Sequence, residues 1–181
     1  GVGKNLQDHL KVGVVYEQTG GPEEPAPTSN VVESGGFVRL DDDEPAPDLQ
    51  FHNAPVYLLE HGLTPPDDGR SFFTIMPTQI RPESAGEVRL ASDNPAHSPA
   101  IDPNYLGADG DIAPLVEGVK LAREIARTDA LDPYCGEEVH PGPAVTSDEG
   151  IEAFVREHAT TVYHPVGTCR MGDDELAVVD D

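Results

Sequence analysis

The residues best placed to do chemistry sit in one stretch near the C-terminus, Tyr163-His164-Pro165-Val166-Gly167-Thr168-Cys169-Arg170-Met171-Gly172. Proline disfavours helical backbone in the residue before it, so the His164 imidazole is presented from an extended or turn segment and not from a helix face. Gly167 allows a tight turn or the close approach of a ligand. An imidazole takes a proton near neutral pH, which makes His164 the chain's best candidate for a general base. On local chemistry alone, the competing reading as a structural loop histidine carries more weight. Other chemistries find less support. His9, His61, His97, His140 and His158 offer no H-E-x-x-H pairing, and Cys135 and Cys169 form no C-x-x-C pair, so neither a metal site nor a disulfide framework is predicted. There is no G-x-S-x-G elbow for serine-based hydrolysis. The 34 acidic residues could supply many carboxylate pairs for glycoside cleavage, and no spacing singles one out.

The elements that must hold this stretch are strands first and helices later. Leu10 to Glu17 alternates as a strand, with Val12, Val14 and Tyr16 on one face and Gly13 and Val15 on the other. Gln18 to Ser29, carrying Glu23-Glu24, is a Gly/Pro-rich loop. Further strands are predicted over Gly35–Leu40, Asp48–Pro55, Ser71–Met76 (stopped by Pro77) and Glu87–Ala91, where Val88 and Leu90 share a face. Asp41-Asp42-Asp43-Glu44 is a solvated acidic turn, Tyr57–Gly69 a loop, and Ser92–Pro99 turn chemistry. Ile112, Leu115, Val116, Val119, Ala122, Ile125 and Ala126 repeat at helical spacing behind a cap at Asp109 or Asp111, with Pro114 in the first turn. A second helix opens on the capping box Thr146-Ser147-Asp148-Glu149 and turns Ile151, Phe154, Val155 and His158 inward. Its end leads through Thr160-Thr161-Val162 into Tyr163-His164-Pro165. This order predicts an α+β domain, an antiparallel β-sheet covered by helices on one face.

A chain of 181 residues can bury a sizeable core in one domain. Its formal net charge of −23 excludes nucleic-acid binding and an anionic membrane surface as natural partners. No apolar run reaches the length of a transmembrane helix. Self-repulsion on this scale is relieved by screening, so a cytoplasmic protein of a high-salt, halophilic cell and an ordinary acidic protein are both consistent with the composition.

The run from Tyr163 to Gly172 resembles the C-terminal signature of the glucose-methanol-choline (GMC) family of flavin-dependent alcohol oxidoreductases. Gly1-Val2-Gly3-Lys4-Asn5-Leu6-Gln7-Asp8-His9 resembles the segment that follows that family's first flavin-binding portion, and Arg81–Leu90 and Ile101–Leu106 are similar to family segments between the two. The motifs fall in the family's order over nearly the whole chain, with the choline-dehydrogenase-like members the most similar. The resemblance implies that His164 accepts the hydroxyl proton of an alcohol while a hydride passes to FAD. It further implies that Tyr163, His164, Pro165 and Asn5 border the cofactor, with Asn5 and Asp8 serving as readily as turn or capping residues and Tyr163 as a packed side chain. For the substrate it points to Glu17, at the end of a strand where choline-type relatives carry an acidic residue, with Tyr16 as an aromatic neighbour for a quaternary ammonium. Phe51, beside His52, would wall the pocket, with a core or surface role as the alternative. The Trp-rich stretch of choline-type members and their longer insertion before Thr28-Ser29-Asn30 are missing, which weakens inference of the substrate by analogy.

No G-x-G-x-x-G follows a strand, and Gly1-Val2-Gly3 is too short a match. Residues 1–181 therefore read as a substrate-binding domain fragment, with 1–9 and 164–181 bordering an FAD-binding domain on the same or a partner chain. Alone, the fragment is expected to bind no flavin tightly and to oxidise no alcohol. The second reading from sequence is a non-catalytic binding or interaction module, or one half of a split enzyme, of the same ancestry.

Overall fold

Alternating apolar residues build one large antiparallel sheet in the computed structural model, which describes residues 1–21, 26–43, 45–59 and 65–180. Its central strand is β6 (Ser71–Gln79). Along one edge β6 pairs with β5 (Leu49–Ala54), which pairs in turn with β4 (Ser34–Val38). Along the other edge lie two collinear strands, β2 (Leu10–Lys11) and β3 (Val14–Gln18). Beyond these come β10 (Thr160–Thr161) next to β2 and β9 (Cys135–His140) next to β3. A second sheet of three strands orders β1 (Lys4–Leu6), β7 (Gly86–Arg89) and β8 (Ala100–Asp102).

The predicted strand over Leu10–Glu17 is in fact divided, and Pro77 is the reason. Val12 N–H donates to Pro77 O at 3.1 Å, but proline has no N–H to return, so the ladder lapses at Val12-Gly13. Pro77 does not stop β6 as expected: the strand runs on to Gln79, because this one missing donor is tolerated at the junction between β2 and β3.

Helix α1 (Ile112–Ala126) packs on β6, β3 and β5, and α2 (Asp148–His158) packs on α1. The core between helix and sheet includes Val12, Val14, Leu49, Ile75, Leu115 and Val119, all at most 2% exposed. Gly118 sits where α1 crosses the sheet; a Cβ there would lie 2.5 Å from Pro77 Cβ. The helix therefore accepts a poor helix former in mid-element so that it can approach closely.

The ends of the helices differ from the sequence reading. Asp111 ends a short 3₁₀ turn (Asp109–Asp111) and immediately precedes α1, but its side chain makes no cap hydrogen bond. Instead the carboxylate, 1% exposed, accepts from Gln79 Nε2 (2.9 Å), Glu83 N (2.7 Å), Ser84 N (3.1 Å) and the Ser84 hydroxyl. A buried carboxylate is stable only when its lone pairs are filled in this way. In α2 the cap is Ser147, which accepts from Gly150 N at 3.2 Å; because Gly150 occupies the position of the expected acid, the capping box is only half made. Strands β1, β8, β9 and β10 were not foreseen, and Leu90 falls past the end of β7, 83% exposed. The Glu23-Glu24 pair, Glu44, His61 and Asp181 lie outside the described residues.

Two outcomes are expected on unfolding. Gly118→Ala lowers stability by about 1–3 kcal/mol in urea denaturation through overpacking on Pro77, although Ala is the better helix former by up to about 1 kcal/mol. Burial alone would raise the Asp111 pKa, but hydrogen bonds from Ser84, Glu83 and Gln79 hold it below the usual carboxylate value. Its contribution is therefore complete at neutral pH and lost as pH falls through the depressed folded value. Asp111→Asn costs about 1.5–3 kcal/mol at pH 7, and the gap from the parent narrows below about pH 4.

Candidate functional site

The stretch around His164 is a bulge in a ladder that joins the two ends of the chain. Residues 3–11 run antiparallel to residues 160–168. Lys11 and Leu10 pair with Thr160 and Thr161, and Val162 N–H donates to His9 O at 3.2 Å. Gln7 and Val166 exchange both bonds at 3.0 and 2.8 Å, and Gly3 N–H donates to Thr168 O at 2.8 Å. Between His9–Val162 and Gln7–Val166, the first strand supplies only Asp8 while the returning strand supplies Tyr163, His164 and Pro165. Between Gln7–Val166 and Gly3–Thr168 the excess reverses, with Lys4, Asn5 and Leu6 opposite Gly167 alone. A bulge re-aims a side chain out of the regular pleat, and here it projects His164.

The bulge is held by a network centred on Asp8. Asp8 Oδ1 accepts from His164 N at 2.9 Å, and Oδ2 accepts from the Tyr105 hydroxyl (2.6 Å) and from Thr161 Oγ1. Tyr163 N donates to Thr161 Oγ1 at 2.7 Å. Tyr163 has φ 64°, an uncommon backbone for a bulky residue that these bonds maintain. Gly167, at φ 92°, has no room for a side chain: a Cβ would lie 2.2 Å from Asn5 O. The close approach anticipated for a ligand is made by the chain's own backbone.

His164 Nδ1 lies 3.3 Å from His9 Nδ1, with the rings edge to face. A hydrogen bond between these nitrogens requires one to donate and the other to accept, so each ring constrains the other's tautomer and leaves Nε2 of His164 for a third party. His9 and Lys11 alternate with core-facing Leu10, and His52 alternates with core-facing Phe51, so all three side chains lie on the sheet face opposite α1. His52 has its pKa lowered, first by burial and then by His164, His9 and Lys11. Burial and then His164 likewise lower that of His9, against an opposing pull from Asp8. Both imidazoles therefore favour the neutral form. Part of this sheet face is covered by residues 55–59: Leu58 N donates to Thr74 Oγ1, Thr74 Oγ1 donates to Val56 O, and the Tyr57 hydroxyl lies 3.0 Å from His140 Nε2. A cleft of about 590 Å³ opens beside the bulge, lined among others by Gln7, Asp8, His9, Arg81 and Val166.

Of the residues singled out from sequence, His164, Tyr163, Pro165 and Asn5 are brought together here. Tyr163 is 71% exposed, and His164 and Pro165 are exposed too. Phe51 is not brought to the site: it is 3% exposed in the helix-side core, because strand alternation gives the opposite face to His52. Glu17 is also apart. It lies six residues along the strand line from Lys11, about 20 Å at ~3.3 Å per residue, with Arg70 Nη1 4.0 Å from its carboxylate. Tyr16, expected as its aromatic neighbour, points into the core and donates to Glu138 at 3.2 Å. Alternation already places adjacent strand residues on opposite faces, so Tyr16 and Glu17 cannot form one box. His9, Lys11, Tyr105 and Thr161 were missed. The i, i+2 spacing of His9 and Lys11 on a strand was the signal available for two of them. Among the described residues, no group of three or more His, Cys, Asp or Glu could hold a metal ion.

The "GMC oxidoreductase" family model matches residues 82–181. The alcohol dehydrogenase [acceptor] of Pseudomonas putida is 39% identical over 211 positions, covering 99% of this chain and 36% of the relative. The oxygen-dependent choline dehydrogenase of Chromohalobacter salexigens is 37% identical, again over 99% of this chain and 36% of the relative. This chain thus spans about a third of the length of the curated relatives it matches. Among solved structures, pyridoxine 4-oxidase from Mesorbium loti superposes with a TM-score of 0.85 at 29% identity, over 99% of this chain and 35% of that one. A mutant of formate oxidase from Aspergillus oryzae shares the fold with a TM-score of 0.79 at 22% identity, over 93% of this chain and 38% of that one. The α+β architecture, the order of motifs and these relatives agree: the chain belongs to the GMC oxidoreductase family.

Proposed function

We propose that residues 1–181 are the substrate-binding and base-bearing portion of an FAD-dependent oxidoreductase acting on the CH–OH group of an alcohol. The observation that carries this reading is the bulge that projects His164 with Nδ1 engaged by His9 and its backbone fixed by Asp8. The named activities of the relatives support the reaction class: an alcohol dehydrogenase, choline dehydrogenases and pyridoxine 4-oxidase.

The residues present fit one edge of a flavin and not its phosphates. The exposed run Tyr163–Val166 offers an aromatic ring, a proline and an aliphatic side chain beside the imidazole, a surface suited to a flat ring system. By contrast, Asp111 stands immediately before α1, and α2 begins with Asp148 and Glu149. Carboxylates there disfavour a pyrophosphate, which a helix N-terminus otherwise attracts. The dinucleotide part is therefore assigned to an FAD-binding domain outside these residues. When bound, the oxidised flavin supplies a hydride acceptor for the carbinol carbon.

The chain's own part is proton transfer and positioning. An alkoxide is a far better hydride donor than a neutral alcohol, so a base must reach the hydroxyl while the carbon faces the acceptor. Nε2 of His164 takes the hydroxyl proton as the C–O bond becomes C=O. His9 holds the tautomer that leaves Nε2 available. Asp8 restrains the backbone, so that the imidazole need not search for its geometry during the reaction.

In the flavin-loaded enzyme that carries these residues, His164→Ala is expected to slow alcohol-dependent flavin reduction by about 10²–10⁴-fold with flavin content unchanged, as measured by anaerobic stopped-flow absorbance. A reduction rate equal to the parent's would remove His164 as the base.

A further inference from the structure

The bulge carries a negative charge beside the proposed base. Asp8 is the residue that opposes Tyr163, His164 and Pro165, and its Oδ1 accepts from His164 N at 2.9 Å. Only Cα and Cβ separate that nitrogen from the imidazole, which puts the carboxylate roughly 4–8 Å from the ring. The other oxygen, Oδ2, accepts from the Tyr105 hydroxyl at 2.6 Å and from Thr161 Oγ1. Tyr105 is itself held in place by its neighbour: Asn104 N donates to Asp102 Oδ1, and Asn104 Nδ2 donates to Ala85 O. Burial and then the bond to Asp8 push the Tyr105 pKa up to about 12, so the phenol stays a donor. This is more than one backbone N–H requires. A neutral amide or hydroxyl would accept that bond alone, whereas three donors converging on one side chain suit an ionised carboxylate.

Once Nε2 of His164 has taken a hydroxyl proton, the ring carries protons on both nitrogens and a full positive charge. Its Nδ1–H then donates to His9 Nδ1, 3.3 Å away, but His9 is held toward its neutral form and brings no counter-charge. His52 is likewise held neutral, and Lys11 adds positive charge to the same neighbourhood. Asp41, Asp48, Arg81 and Glu83 line the cleft beside the bulge. The field of Asp8 does reach the imidazoles: it pulls the His9 pKa upward against burial and His164. Resting on the alcohol-oxidoreductase reading above, we propose that Asp8 is the counter-charge of the His164 imidazolium, its carboxylate held for that purpose by Tyr105 and Thr161. The alcohol O–H bond breaks and an N–H bond forms at Nε2, so no group is needed beyond those of the proposed oxidation. Asp8 touches neither substrate nor reacting atoms and is therefore a positioning residue: His9 takes the ring N–H, and Asp8 acts through space. Where flavin and alcohol displace water from the exposed run Tyr163–Val166, screening between the two charges weakens and their attraction grows.

Asp8→Asn separates charge from shape. The amide keeps an oxygen for His164 N, and the Tyr105 and Thr161 hydroxyls can turn to accept from its N–H groups. The other charges of the neighbourhood are the same in parent and variant, so the comparison isolates Asp8. The first readout is the titration of the His164 imidazole itself, followed by NMR of the flavin-loaded enzyme carrying isotope-labelled histidine and assigned by the signal that His164→Gln lacks. Asp8→Asn is expected to lower the midpoint by about one pH unit, because removing an opposite charge disfavours the imidazolium. Tyr105→Phe, which keeps the charge, should leave the midpoint at or above the parent's. An unmoved midpoint in Asp8→Asn overturns the proposal, and so does a midpoint below the parent's in Tyr105→Phe. If Asp8→Asn fails to fold, Tyr105→Phe decides by the same criterion. The second readout is the limiting rate of flavin reduction, which should fall about three- to tenfold in Asp8→Asn, its pH profile displaced downward with the imidazole. A slower rate with an undisplaced profile overturns the proposal. His164→Ala reducing flavin at the parent's rate would instead remove the base assignment, while the NMR titration still judges the charge of Asp8.

Discussion

The antiparallel ladder between the first eleven residues and residues 160–168 is the constraint on which the rest depends. The excess at Tyr163–Pro165 over Asp8 is two residues, which keeps side chains on their own faces because the side-chain period is two, but shifts every later pairing along the partner strand. An uncompensated bulge there would displace the pairings beyond it by two residues. The chain avoids this by inserting the same excess on the opposite strand one step later, at Lys4–Leu6 against Gly167. Ordinary alternation keeps Leu10 in the core at 3% exposed and His9 and Lys11 on the opposite face, while His164 stands out of the pleat. Gly167 is required because the compensating bulge brings Asn5 O to where a Cβ would sit. Asp8 is required because the bulge frees backbone N–H groups, and its carboxylate takes that of His164.

A second carboxylate plays a similar part at the other end of this frame. Asp111 joins the end of β6, the turn at Glu83-Ser84 and the start of α1, and the Ser84 hydroxyl it engages also accepts from Ala108 N. In an acidic chain most carboxylates repel one another in solvent. Asp8 and Asp111 are different: each is bound to donors from separated parts of the sequence, so that a charge costly to bury becomes a junction. Arg123 and Glu138, side chains 11% and 9% exposed and 2.7 Å apart, do the same between α1 and β9, where breaking either partner would strand a buried charge.

Much of the fold was legible in the sequence because period-two and helical spacing report burial directly: Val14–Gln18, Leu49–Ala54, Ile112–Ala126 and Asp148–His158 lie close to where alternation and amphipathicity put them. Short strands were not legible. β1, β8 and β10 have two or three residues each, too few to show a period, and exist because partners distant in sequence offer unpaired backbone groups. The site divides in the same way. His164 could be named from its own motif, whereas the Asp8 network needs residues 8, 105, 161 and 164 at once. Phe51 and Glu17 were misplaced for a related reason: each was judged by residue type, while its position is decided by strand face and by distance along the strand. The same alternation, applied to His9, Lys11 and His52, would have placed these three side chains together on the sheet face opposite α1.

The central claim is that this bulge delivers a base to a substrate hydroxyl. The most direct measurement is the pH dependence of the limiting rate of flavin reduction in the flavin-loaded enzyme, compared between the parent and His164→Gln. If His164 is the base, the parent rate rises with pH through a single ionisation, the neutral imidazole being the active form, and that ionisation is absent from the variant's profile. A variant profile that keeps the parent's ionisation would assign the base to another group and contradict the account.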